Sequence, residues 1–398
     1  MRIAHYISQL RHEVGGPTRA VLDICGALAG AGHEVALVTG DGEAWPHEWT
    51  TDLAPGWSEG KPAGTVSLPR LWKVNSPNWP IKRFSPYELR GLESMLAGTH
   101  VVHLHGLWEP SNSQLATLLR KMNIPYVVSI HGVLDDWSMA QRGLKKQVYL
   151  ALMGRRTLEQ AAFVHCTAEG EREQSRKWMP DARVKVVPCL FELSPYHSLP
   201  GPEAARAKFP HLTNGRPSVL FLSRVHYKKG IEVLIDAAAI LRDSGVDVNI
   251  LIAGGGDENY LVELRRQVAT LNLSDRVEFL GLVKSPHKES LYQACQVFAL
   301  PSSQENFGFV FFEAMACELP VVTTFSVDTW PELKASGGAV IVQRDARAFA
   351  DAIKDMLAQP AKLKHMGSAG RAWVMENLDT TKVLNSFERA YQEAVESR

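Results

Sequence analysis

Short apolar runs alternate with amphipathic stretches along most of the chain. Residues 2–7 read as a buried strand, followed by Gly15-Gly16-Pro17 and an amphipathic stretch over 18–31. Residues 35–39, 100–104, 126–130, 163–166 and 184–187 are further apolar runs, with helical segments between them. Strands buried on both sides and separated by helices predict a parallel sheet covered on both faces.

The opening then recurs. Residues 218–222 form an apolar strand, followed by a polar loop that ends in Lys229-Gly230 and a helix over 231–243. A strand over 248–253 runs into Gly254-Gly255-Gly256, and strands at 276–279, 297–300 and 320–323 follow. From 345 onward the pattern is helical, with a last helix over 381–396 that suits either half. The expected fold is α/β, with two Rossmann-like domains over 1–195 and 196–380. Residues 188–217, rich in Pro, form the linker. Residues 41–80 are rich in Pro, Gly and Trp and weak in periodicity, and read as an elaborate surface loop.

The chain has 398 residues, which is more than one core usually holds. It carries 43 basic and 43 acidic residues, a net charge of zero, and is 45% hydrophobic. Neutrality argues against a nucleic-acid partner, and the apolar fraction argues against disorder. No run is long enough for a membrane span, and the N-terminus turns polar too early for a signal peptide. The five cysteines are scattered without a CxxC pair, so neither a disulfide framework nor a zinc site is expected. A reduced, cytoplasmic setting is the default.

Four segments carry candidate chemistry. Pro301 to Pro320 follows a strand and enters a helix. Gly308 permits close approach to free N–H groups at the helix start, which suit phosphate. Glu305 and Glu313 bracket that turn, and a carboxylate is a natural acceptor for vicinal hydroxyls. Phe311, Phe312, Ala314 and Met315 surround Glu313, a setting where an unpaired carboxylate is costly. Arg224 and Lys229 lie just after a strand end and could converge on a diphosphate, while Lys228 reads as surface. Gly15 and Gly16 permit backbone approach to a ligand, although GxGxxG is absent. His103, His105 and His131 form a histidine set. His131 is the best placed to line a cleft, and His103 reads equally well as a satisfied core residue. A zinc reading of the set needs further ligands. No D-x-D triplet occurs, so no metal and no cofactor is expected.

The E-x7-E segment before Ala-Met-Ala-Cys-x-x-Pro-Val-Val, the Ser-Arg-x4-Lys-Gly loop, Ala-Gly-Gly-Gly, the early Gly-Gly and Ser-Ile-His-Gly-Val-Leu-Asp occur in order. Together they resemble the retaining glycosyltransferases of family 4, which have the GT-B fold of two Rossmann-like domains facing a cleft. The resemblance runs from Met1 to about Glu376. His105-Gly-Leu-Trp108 and Thr329-Trp-Pro-Glu-Leu333 look most like members from bacterial polysaccharide biosynthesis. It implies that Arg224 and Lys229 bind the donor diphosphate and that Glu313 accepts from ribose hydroxyls. Glu305 would contact the donor sugar, with Asn306 and the Phe307-Gly308-Phe309 backbone beside sugar and phosphate. Gly15, Gly16 and Gly254 would approach the donor, and Leu282 and Val283 would lie near the base. His131 would sit at the reacting centre, so His131, Glu305, Arg224 and Lys229 form the implied catalytic set. The family's last helix crosses back to the N-terminal domain, which would assign 381–396 there. Two segments depart from the pattern: Cys317-Glu-Leu-Pro320, and Val327-Asp-Thr-Trp330 where Gly-Gly is usual.

The resemblance implies a UDP- or GDP-linked sugar donor and a saccharide or lipid-linked acceptor. Residues 61–87 contain Lys61, Arg70, Lys73, Lys82 and Arg83 without an acid, interleaved with Trp72, Trp79, Phe84 and Tyr87. Residues 137–158 contain Arg142, Lys145, Lys146, Arg155 and Arg156, again without an acid. Both suit an anionic membrane surface or a lipid-diphosphate acceptor, or a plain solvated face. They point to peripheral contact at the inner face of the membrane. The competing readings are a GT-B epimerase or phosphorylase, and a sugar-nucleotide-binding protein without turnover.

Overall fold

The computed structural model describes residues 1–11, 15–51, 56–57, 68–75, 82–141 and 143–397. The chain divides into two units, one of Met1–Phe191 with Thr380–Arg398 and one of Glu192–Asp379. The division therefore falls after residue 191 rather than 195, and Thr380 rather than residue 381 opens the last segment.

The first unit holds one parallel sheet. Its strands are β1 (Arg2–Tyr6), β2 (Glu34–Thr39), β3 (Thr50–Thr51), β4 (Arg70–Lys73), β5 (Val101–His105), β6 (Tyr126–Ser129), β7 (Phe163–Cys166) and β8 (Val184–Val186). Their order is β3-β4-β2-β1-β5-β6-β7-β8. β3 and β4 lie inside the stretch that reads as a loop. They are too short and too poorly bounded to show a period in the sequence.

The second unit has β9 (Ser218–Leu222), β10 (Asn249–Ala253), β11 (Val277–Gly281), β12 (Val297–Leu300), β13 (Val321–Thr324) and β14 (Ala339–Val342), in the order β11-β10-β9-β12-β13-β14. All six are parallel. The helical stretch expected from 345 is three helices: Ala346–Leu357, Pro360–Asn377 and Thr380–Glu396. Pro360 starts the second of them, where a missing N–H costs nothing.

The last helix belongs to the first unit because of one stripe. Val383, Phe387, Ala390, Tyr391 and Ala394 are its buried residues, at the three-to-four spacing of one helix face. They join a core formed by Ile3, Val101, Val127 and Phe163 on one face of the sheet. Burying a Val or Phe side chain contributes about 1.5–3 kcal/mol, so the stripe is enough to hold the helix there. Among the described residues no helix is long and apolar enough to cross a membrane.

Candidate functional site

In the second unit the candidate residues lie on loops at the carboxyl ends of β9, β10 and β12. β9 pairs with β10 on one side and β12 on the other. Connections from β9 and β12 therefore depart to opposite sides, which is where open parallel sheets leave a crevice for ligands.

Close backbone packing joins these loops. Gly230 has φ +70°, and a Cβ there would fall 2.2 Å from Pro301 O. On Gly254 and Gly256 a Cβ would fall 1.8 Å from Ser223 O and 2.0 Å from Val225 O. Only glycine allows the three loops to meet in this way. Lys228 is not the plain surface residue the sequence reading expects. It is half-buried; its carbonyl accepts from Ser303 N at 2.8 Å and its Nζ donates to Gln304 Oε1 at 2.8 Å. Lys229 pairs with Glu305. Arg224 is exposed beside them. Burial, and then Lys228, Arg224 and Lys229, hold the His226 imidazole below its ordinary range. Three cationic side chains thus surround His226, with Asp257 opposing them.

The helix Phe309–Ala316 starts at Gly308, which has φ +67° and offers no side-chain cap. Phe311 N donates to Gly308 O at 3.0 Å. Gly308 also has a local reason to be glycine: a Cβ would lie 2.6 Å from the Phe311 ring. Asn306 Nδ2 donates to Asp328 Oδ2 at 3.0 Å, and Thr329 Oγ1 donates to Phe307 O at 3.1 Å. The unusual Val327-Asp-Thr-Trp330 segment is therefore the brace behind residues 305–307. Leu282 is exposed and Val283 buried, just past Gly281, whose carbonyl accepts from Gly254 N at 2.8 Å.

Glu313 is buried. Its Oε2 accepts from Tyr292 OH at 3.1 Å and lies 3.2 Å from Lys288 Nζ. Burial and Glu313 push the Tyr292 hydroxyl well above its usual range. Both partners sit on the helix His287–Ala294. The sequence reading missed them, because that helix shows an ordinary mixed pattern. Glu305 and Glu313 thus have separate cationic partners, Lys229 and Lys288.

The first unit places Gly15 and Gly16 at the start of the helix Gly16–Gly30. Gly15 has φ +76°. Gly16 is exposed, and a Cβ there meets nothing within 4 Å. Gly15 therefore carries the turn, and Gly16 leaves open space above the backbone.

The histidine set is larger than the sequence reading supposed. On one sheet face the strands begin apolar and turn polar toward their carboxyl ends. Ile3 gives way to His5, Val101 to His103 and His105, Val127 to Ser129, and Phe163 to His165. Parallel register aligns His5 with His103 and His105 with Ser129. His131 lies two residues past β6 with φ +50°. Buried Glu171 accepts from Gly132 N at 2.5 Å and from Thr167 N at 2.6 Å, which pins that turn. His5 and His165 fit an alternating strand pattern, so only the register between strands reveals them.

One branch of this network has a fixed direction. His165 Nε2 lies 2.7 Å from Val187 O, a carbonyl, so it must donate. Burial lowers His165 to about 4 and His103 well below its usual value, so both rings are neutral. His165 Nδ1 then accepts from Ser129 Oγ at 2.6 Å. Ser129 in turn accepts from His103 Nε2 at 2.7 Å, and His103 Nδ1 accepts from Tyr391 OH at 2.7 Å. His103 is a satisfied core residue. His5, His103 and His105 could each offer one nitrogen within 4.8 Å of the others to a metal ion. The lone pair of His103 already takes the Tyr391 proton, so an ion there would have to displace Tyr391.

Comparison with known proteins gives a consistent picture. Residues 204–373 match the family described as Glycosyl transferases group 1, and residues 15–189 match the Glycosyl transferase 4-like domain. A GDP-mannose-dependent alpha-(1-6)-phosphatidylinositol monomannoside mannosyltransferase of Mycolicibacterium smegmatis is 34% identical over 188 residues, which is 45% of this chain and 48% of that protein. The chain thus matches about half the length of that relative. A GDP-mannose:cellobiosyl-diphosphopolyprenol alpha-mannosyltransferase of Xanthomonas campestris is 27% identical over 368 residues, 90% of this chain and 88% of that protein. The crystal structure of Anabaena HepE in complex with UDP superposes with a TM-score of 0.79 at 17% identity, over 98% of this chain and 100% of that one.

Proposed function

Because the chain belongs to the family 4-like glycosyltransferases with the GT-B fold, we propose that it is a retaining, metal-independent transferase. It moves a sugar from a nucleotide-diphosphate sugar to a saccharide or lipid-linked saccharide acceptor. One observation carries this reading: Arg224, Lys229, Glu305 and the helix start at Gly308 lie on loops locked together at the turning point of one sheet.

The roles follow from the chemistry of each group. Arg224 offers a planar fork and Lys229 a compact charge to a departing diphosphate. The N–H groups after Gly308 add fixed dipoles, and together they stabilise the leaving charge without a metal. Glu305 contacts the donor sugar, and Lys229 holds it in place. Glu313 accepts from the ribose hydroxyls, with Lys288 and Tyr292 fixing its carboxylate. Leu282, Val283 and Gly254 border the base and phosphates. By the family resemblance, His131 takes the place of a residue at the reacting centre, and Gly15 and Gly16 take the places of glycines that approach the donor. No carboxylate stands out as a nucleophile, which favours attack from the face the diphosphate leaves.

The acceptor side draws on the first unit. The two relatives named above act on lipid-linked acceptors by their names. A groove of about 730 Å³ is lined by Arg83, Arg90, Arg120, Lys121 and Arg156 with a single acid, Glu93. Leu152 lines it and is 76% exposed, and Leu144, earlier in the same basic stretch, is 79% exposed. Lys61, Trp79 and Arg142 lie outside the described residues. A basic groove with exposed leucines supports peripheral contact with an anionic membrane on the cytoplasmic side.

The deciding experiment is a thermal-shift screen against UDP, GDP, ADP and their sugars, with and without EDTA. Stabilisation by one diphosphate series, unchanged by EDTA, is the expected result. No stabilisation by any of them would sink the donor-site assignment.

A further inference from the structure

The second branch of the histidine network ends blind. His131 Nε2 lies 3.0 Å from His105 Nδ1, and His105 Nε2 lies 3.0 Å from His5 Nδ1. His5 Nε2 is buried and has no partner among the described residues. The rings of His131 and His105, and of His105 and His5, stack at 5.3 Å with interplanar angles of 20° and 16°.

Each neutral imidazole has one N–H and one lone pair. Three rings in series therefore allow only two complete patterns. In the first, His5 donates to His105 and His105 donates to His131. His5 Nε2 is then an unused lone pair, and His131 carries its proton on Nδ1. In the second, every bond reverses. His5 Nε2 is then an unused N–H, and His131 carries its proton on Nε2. A buried N–H without an acceptor is the rarer and costlier orphan. The blind end at His5 thus selects the first pattern for the whole series.

We propose that His105, completed by His5, is a positioning residue that locks His131 as the Nδ1–H tautomer. His131 then presents a hydrogen-bond donor, and not a base, from its second nitrogen. The kinetic consequence rests on the reading that His131 lies at the reacting centre; the tautomer itself does not. A donor there suits an oxygen of the sugar or its leaving group, and it leaves proton removal from the acceptor to another group. Burial holds His131 and His5 at about 3, so the series stays neutral at ordinary pH.

The test uses the full chain labelled with [15N]histidine. Long-range proton–nitrogen correlation reads which ring nitrogen is protonated, and His131→Asn identifies the signal. In the wild type His131 should read as Nδ1–H. In His105→Asp, whose carboxylate can only accept, it should turn to Nε2–H. His105→Asn, which can still donate from its amide, should keep Nδ1–H. An Nε2–H signal in the wild type, or an unchanged signal in His105→Asp, overturns the proposal. The wild-type spectrum decides this even if His105→Asp does not fold.

Release of UDP or GDP from UDP-glucose or GDP-mannose supplies the second readout. His105→Asp should lower kcat by roughly tenfold or more, with KM within about twofold, and His105→Asn should stay closer to wild type. If the tautomer follows the prediction and kcat does not change, the locking stands and the placement of His131 at the reacting centre falls.

Discussion

Gly230 lies against the backbone of Pro301, so close that one added carbon would fall 2.2 Å from the Pro301 carbonyl oxygen. This contact fixes the loop carrying Arg224 and Lys229 against the loop carrying Glu305. Gly230→Ala must clash there and must also hold alanine at φ +70°. The expected loss is about 2–4 kcal/mol of stability in denaturant titration, with weaker diphosphate binding. Wild-type stability in this variant would mean that the two loops are not in contact.

Arg224 is exposed, so Arg224→Ala should leave the melting temperature near wild type. Its effect should fall on the ligand. Calorimetry with UDP or GDP should show affinity lower by about tenfold, or roughly 1.4 kcal/mol. A kcat/KM for a good donor within about threefold of wild type would remove Arg224 from the site.

Glu313 and Lys288 form a partly screened pair in a buried setting. Glu313→Ala leaves the ammonium without that carboxylate and should cost about 2–3 kcal/mol. Lys288→Met combined with Glu313→Gln should cost less than the sum of the two single changes, with a coupling of about 1–2 kcal/mol. Additive effects would show that the two side chains do not interact.

Acid should weaken the first unit. Burial lowers His5 and His131 to about 3 and His165 to about 4, and it lowers His103 and His105 well below the usual histidine range. Unfolded histidine binds its proton near 6.5, so the unfolded chain gains protons first as pH falls. The stability is complete above that value and is lost as pH falls from it toward 3–4. The slope is up to about 1.4 kcal/mol per pH unit for each such ring. Denaturant midpoints that stay level from about pH 7.5 to about 5 would contradict neutral rings in the fold.

The basic groove predicts salt-sensitive attachment to lipid. The protein should sediment with vesicles containing phosphatidylglycerol and not with phosphatidylcholine alone. Arg120→Glu with Arg156→Glu should release it, and raising salt from about 0.1 to 0.5 M should weaken it. Equal binding to neutral vesicles would exclude the groove as the contact.

The strands of both sheets were largely legible because buried parallel strands write continuous apolar runs. Ser218–Leu222, Val297–Leu300 and Phe163–Cys166 appear in the structure with the bounds read from sequence. The site loops were legible through their glycines, since Gly230, Gly254 and Gly308 mark backbone that no side chain tolerates. β4 and β14 were not: β4 stands in a Pro-, Gly- and Trp-rich stretch, and β14 is a short run between Gly337-Gly338 and a polar loop. Nor were Lys288 and His5, whose partners lie on other elements. Periodicity reports a residue's own face, and only register or tertiary packing reports what stands opposite.

The place of Tyr391 has a consequence for the order of events during synthesis. Its hydroxyl completes a hydrogen-bond series that runs through β5, β6 and β7. A ribosome makes those strands hundreds of residues before the helix that covers them. The unit made second, Glu192–Asp379, is continuous in sequence and can close as soon as it emerges. The unit begun first must wait for that last helix before its histidine-bearing sheet face is covered.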